Sequence, residues 1–178
     1  PIGSLIVVTK ARDAKAQIAE ATAVASAVCL ARDWVNTPPN QLYPETFADA
    51  ARGLAREKRL EIEVLDEKAL ARGGYGGLMA VGGGSERPPR LVRLSYAPRG
   101  AITHVALVGK GITFDTGGLN LKPADGMLTM KCDMAGAAAV IAAIGAIADL
   151  RLPIKVTAWA ALAENMPSGS AYRPSDVL

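Results

Sequence analysis

One stretch constrains the fold of this chain more than any other: residues 108–136, VGKGITFDTGGLNLKPADGMLTMKCDMAG. An apolar run, His104-Val105-Ala106-Leu107-Val108, leads into it and reads as a buried strand. An alanine-rich segment, residues 134–149, leaves it and reads as a helix. Between the two lie Lys110, Lys122, Asp115, Asp133 and a set of turn-forming glycines. In open α/β sheets, sites gather outside the carboxyl ends of strands. Charged residues at such a junction are therefore candidates for chemistry, and the rest of the chain reads as scaffold for them.

The scaffold alternates strand and helix signals. Residues 4–9 (SLIVVT) are rich in β-branched side chains and predict a strand. Residues 10–32 predict a long helix, with Ala14, Ile18, Ala21, Ala25, Val28 and Cys29 at three- and four-residue steps. Pro38-Pro39 stop it, and residues 34–40 read as a rigid loop. A second helix is expected from Pro44 to about Lys58, with Phe47, Ala50, Ala51 and Leu54 on one face. Residues 61–65 alternate as a strand, and Asp66 can cap a short helix ending at Gly73-Gly74. Further strands are expected at 78–81, 91–96, 103–109 and 154–162. This pattern predicts an α/β fold: a mixed, mainly parallel sheet flanked by helices.

Composition narrows the function. Half of the 178 residues are apolar, which argues against disorder. The net charge of +3 comes without a basic cluster interleaved with aromatics, so no nucleic-acid partner is expected. Two cysteines, Cys29 and Cys132, fit a reducing, cytoplasmic compartment rather than a disulfide framework. The apolar segment 135–148 is too short and too rich in small residues to span a bilayer, and no membrane association is expected. The chain begins at Pro1, which fits processing or a longer polypeptide.

Each candidate residue has a plainer reading beside the chemical one. Asp115, before Gly117-Gly118, is either a turn aspartate bonding its own backbone or a functional carboxylate. Asp133 is either a helix cap or a ligand, and one carboxylate can do both. Lys110 and Lys122 are either solvated counter-ions or functional cations. Gly109 and Gly111 around Lys110 permit close backbone approach. GKG is not a phosphate loop, which needs Gly, four residues, then Gly-Lys-Ser/Thr. The glycines at 82–84 precede no long helix and make no dinucleotide fingerprint. His104 and Cys132 read as structural. Two carboxylates and two lysines are compatible with a hard or borderline divalent metal.

The stretch closely resembles the M17 family, the leucyl (cytosol) aminopeptidases. The resemblance covers GKGITFDTGG at 109–118, Leu121-Lys122-Pro123, and residues 130–138. It extends to Asn36-Thr37-Pro38-Pro39-Asn40 upstream and residues 163–169 downstream, in the same order and spacing along most of residues 30–178. It implies a Zn-exopeptidase-like catalytic domain that releases N-terminal, leucine-like neutral residues from peptides with two divalent ions, Mn²⁺ or Zn²⁺. Lys110, Asp115 and Asp133 match metal ligands, with Asp115 as the bridging carboxylate. Lys122 matches the catalytic lysine that polarises the substrate carbonyl. Met130 matches a residue lining the pocket for the first side chain. Thr116 stands where many relatives have serine. A lysine amine ligates a metal only when neutral, and from an ordinary pKa near 10.4 that costs about 4–5 kcal/mol at pH 7, supplied by metal binding.

The resemblance also implies that more is needed. The family completes its site with a later Asn-Thr-Asp-Ala-Glu-Gly-Arg segment, whereas this sequence ends at Ser175-Asp176-Val177-Leu178. Residues 1–33 match the tail of an N-terminal domain and a connecting helix, and 34–178 the first part of the catalytic domain. The expected whole is a longer enzyme that self-associates as a hexamer. The rival readings are a catalytically inactive, truncated relative acting as a scaffold or DNA-binding module, and a nucleotide-binding α/β domain.

Overall fold

The computed structural model describes residues 3–168. In order it contains α1 (Ala14–Asn36), α2 (Pro44–Lys58), β1 (Glu61–Leu65), α3 (Glu67–Arg72), α4 (Gly76–Gly82), β2 (Arg90–Tyr96) and β3 (His104–Asp115). Then come α5 (Ala124–Met127), a 3-10 turn (Met130–Cys132), α6 (Ala135–Asp149) and β4 (Lys155–Asn165). Among the described residues the four strands form one sheet in the order β1-β2-β4-β3. The sheet is mixed, as expected. Its parallel part is confined to β3–β4, while β1–β2 and β2–β4 are antiparallel. The reason lies in the connections. A whole helix, α6, carries the chain from β3 back to a parallel β4, whereas α3 and α4 return it antiparallel from β1 to β2.

The core lies between the sheet and helices α1, α2 and α6. Phe47, Leu54, Val92, Leu94, Ile141, Ile144, Val156 and Leu162 are buried in it together. Trp34 meets Phe47 with ring centroids 5.4 Å apart, which ties α1 to α2. α6 is alanine-rich because it touches β3 closely. Ala137 and Ala138 are fully buried, and a Cβ on Gly109 would stand 2.5 Å from the Gly136 carbonyl oxygen. Gly109 therefore serves helix–strand contact, whereas a Cβ on Gly111 would first meet Leu162 Cδ2 at 2.5 Å and the Ala161 carbonyl oxygen at 2.7 Å in β4.

Several local expectations hold. α2 begins at Pro44, and the Tyr43 N–H donates to Thr46 Oγ1 at 2.9 Å. Asp66 caps α3 by accepting from the Ala69 N–H at 2.8 Å. His104 is structural, its Nε2 2.9 Å from Thr157 Oγ1.

Others are corrected. Residues 4–9 form no strand: Leu5, Ile6 and Val8 are at least 85% exposed and no strand among the described residues pairs with them. The first helix starts at Ala14 and continues through Trp34 to Asn36, so the rigid loop begins later. The proline pair acts on the residue before it, since Thr37 is extended at ψ 133°. Residues 78–81 lie in helix α4, not in a strand. A short apolar run has no period to separate the two, and α4 gains burial by packing on β4. The run 104–108 is not buried either. β3 is the sheet's edge here, with Val108 77% exposed on the face away from α6.

Candidate metal centre

The site forms where β3 and β4 end side by side. In register, Lys110 lies opposite Ala161 and Asp115 opposite Asn165. Lys110 and Asp115 are five residues apart, so a regular strand would send them to opposite faces. They share a face because the pairing slips by one residue between Ile112 and Phe114. The extra residue is Thr113, buried, with its hydroxyl donating to the Ala163 carbonyl at 3.3 Å. Lys110, Asp115 and Asn165 thus line one cavity of about 510 Å³, walled by Leu78 and Val81 of α4. No periodicity in the sequence signals this bulge.

Asp133 arrives from the other side. It closes the 3-10 turn, and its carbonyl accepts from the Ile112 N–H at 3.2 Å, which pins it against β3. Lys110 Nζ stands 2.7 Å from Asp133 Oδ2. That contact is an ion pair without a directed hydrogen bond: Asp133 Oδ2 is buried and has no hydrogen-bond partner among the described residues. Asp133 also makes no side-chain cap to α6, whose cap position is Met134. The plainer reading of Asp133 as a helix cap therefore falls away.

Lys122 Nζ donates to Asp115 Oδ2 at 2.5 Å. Asp115 Oδ1 accepts from the Gly117 N–H at 2.9 Å and from Asn165 Nδ2 at 2.8 Å. Gly117 is at φ +89°, a conformation that favours glycine, and its backbone turns the chain so that the Lys122 N–H can reach the Thr116 carbonyl at 2.9 Å. Burial pushes the Asp115 carboxyl up. The Lys122, Gly117 and Asn165 donors outweigh it and hold the group below the usual aspartate range. Asp115 thus bonds its own backbone, as the plainer reading had it, and also faces the cavity.

Met130 begins the 3-10 turn, three residues before Asp133, and is half-buried. It is not among the residues lining the Lys110–Asp115 cavity. Lys122 sits on the loop between β3 and α5, within reach of Asp115 alone of the two aspartates. Sequence reasoning missed two other groups. One is Asn165. The other is Glu164, buried at the end of β4, which accepts from Ser85 Oγ at 2.7 Å and from Arg87 at 3.3 Å beside a second cavity. Glu164 ties the turn before β2 to the loop at Pro39 through Arg87.

The donor set fits part of a divalent-metal site. It has two carboxylates and one amine, with one buried carboxylate oxygen lacking a directed partner. Among the described residues no group of three or more His, Cys, Asp and Glu side chains comes together. Any further acidic ligand would have to come from elsewhere.

A mixed α/β sheet with paired lysines and carboxylates at the end of one strand defines the class of structure. Residues 29–178 match the cytosol aminopeptidase family, catalytic domain, and the chain belongs to that family. It is 58% identical over 178 residues to a probable cytosol aminopeptidase of Cutibacterium acnes, covering 99% of this chain and 35% of that protein. A counterpart in Streptomyces coelicolor is 61% identical over 164 residues, covering 92% of this chain and 32% of its own length. Among solved structures, the bottromycin maturation enzyme BotP in complex with Mn superposes with a TM-score of 0.92 at 48% identity, over 99% of this chain and 38% of that one. A leucyl aminopeptidase of Trypanosoma brucei in complex with bestatin does so at 0.86 and 41%, over 88% and 30%. The chain spans about a third of the length of the curated relatives it matches.

Proposed function

We propose that this chain is the first part of the catalytic domain of a metal-dependent aminopeptidase, which releases neutral, leucine-like residues from the N-termini of peptides. The observation that carries this reading is that Lys110 pairs with Asp133 and shares a cavity with Asp115, with Asp133 Oδ2 buried and lacking a directed hydrogen bond. Lys110, Asp115 and Asp133 would hold divalent ions, Mn²⁺ or Zn²⁺, two in the complete site. The Mn in the BotP complex supports the choice of manganese. When bound, such ions supply Lewis acidity and an activated water.

The chain's own residues do the rest. Lys110 would hold an ion through its amine in place of its pairing with Asp133. The Lys122 ammonium, which lies on Asp115 here, would stabilise the negative charge that develops on the peptide carbonyl oxygen. Met130 borders the space for the first side chain. Residues 1–33 are the tail of an N-terminal domain and the connecting helix. Peptide substrates, a cytoplasmic location and assembly of the whole protein into a homo-hexamer follow from the same reading, and the cytosol aminopeptidase names of the relatives support the location.

The test is an aminoacyl-amide assay on the full-length protein. Chelation should abolish release of the first residue, and added Mn²⁺ or Zn²⁺ should restore it. Undiminished turnover after chelation overturns the proposal. No turnover under any metal condition favours the rival, an inactive relative serving as a scaffold.

A further inference from the structure

We infer that Asn165 is a positioning residue, one that sets the orientation of the Asp115 carboxylate toward the metal; the inference rests on the metal-site reading above. Asn165 is the last residue of β4, lies opposite Asp115 in register and is 7% exposed. Its two halves do separate work. The backbone carbonyl accepts from the Thr116 N–H at 3.0 Å and from Thr116 Oγ1 at 2.8 Å, which joins the strand ends. The side chain donates through Nδ2 to Asp115 Oδ1 at 2.8 Å.

A carboxylate turns about a single bond unless something holds it. The Asn165 amide and the Gly117 N–H both donate to Oδ1, so that oxygen is anchored and Oδ2 is turned outward to Lys122. The amide can have only this orientation, because its oxygen against Asp115 would set two acceptors together. It is held close as well: a Cβ on Gly118 would stand 3.1 Å from Asn165 Oδ1. Groups that orient a ligating carboxylate typically matter 10- to 100-fold in metal affinity. The strand-joining bonds use the Asn165 backbone, so they survive a change of side chain. Loss of the amide alone is therefore a clean perturbation.

The experiment measures Mn²⁺ affinity of the full-length protein by the EPR signal of the free ion, with thermal melting in parallel. The variants are Asn165→Ala, Asn165→Leu and Asp115→Asn. Asn165→Leu keeps the branched side-chain shape without the amide and carries the comparison if truncation lowers the melting temperature. The expected result is Mn²⁺ binding weakened about 10- to 100-fold in the Asn165 variants, with turnover returning as Mn²⁺ is raised. An Asn165→Leu protein that melts like wild type and binds Mn²⁺ with the wild-type Kd overturns the inference while Asp115→Asn still weakens binding. If Asp115→Asn also binds normally, the metal-site reading falls with it.

Discussion

Lys122→Ala in the full-length protein lowers kcat for an aminoacyl-amide by about 100- to 1,000-fold, the usual effect of removing one preorganised donor to a developing oxyanion. Mn²⁺ affinity stays at the wild-type level or rises slightly. The geometry gives the reason for both halves. Lys122 is not a ligand in the proposed site. In this structure its ammonium lies on Asp115 Oδ2 at 2.5 Å, a position where it competes with a cation. Removing it leaves the Asn165 and Gly117 donors on Oδ1 untouched. Retained turnover would remove Lys122 from the chemistry. Lost Mn²⁺ binding would make its role one of holding Asp115 in place.

Gly109→Val is expected to cost about 3 kcal/mol or more in stability, toward the upper end for overpacking a core. A Cβ at this position would meet the Gly136 carbonyl oxygen at 2.5 Å and the Ala137 Cα and N at 2.7 Å. All three are backbone atoms of the α6 segment, so no side chain can rotate away and the helix itself must lift off β3. Since Lys110 is the next residue and Asp133 precedes the same helix, the proposed metal centre would open with it. Gly53→Ala is the matched control. It lies in α2 with nothing within 4 Å of its would-be Cβ, and should stabilise by roughly 0.5–1 kcal/mol through helix propensity. Urea unfolding of the two variants measures the contrast. Equal midpoints would mean that the close approach of α6 to β3 carries no energetic weight.

What could be read from the sequence was whatever depends on neighbours along the chain. The second helix has both its ends where Pro44 and Lys58 put them, and the Asp66 cap is local by nature. Lys110, Asp115, Lys122 and Asp133 stood out because charge at a strand–helix junction is costly without a use. What could not be read depends on distant partners. Residues 4–9 have strand-forming side chains but no strand beside them among the described residues. The run at 78–81 became helix because α4 packs on β4. The Thr113 bulge, which turns Asp115 to the Lys110 face, exists only as a slip against β4. Asn165 was within the resembling segment, yet its amide acquires meaning only once β4 is aligned with β3. In each case the missing information is a register or a packing face, which local composition does not encode.

The central claim is that Lys110, Asp115 and Asp133 converge to hold a divalent ion. Anomalous diffraction from a crystal of the full-length protein soaked in Mn²⁺ tests it most directly. The expected result is a Mn²⁺ peak bonded to Lys110 Nζ, to Asp133 Oδ2 and to Asp115, with Lys122 Nζ drawn away from Asp115. Lys110 still paired with Asp133 and Lys122 with Asp115, with no peak between them at saturating Mn²⁺, would contradict the account.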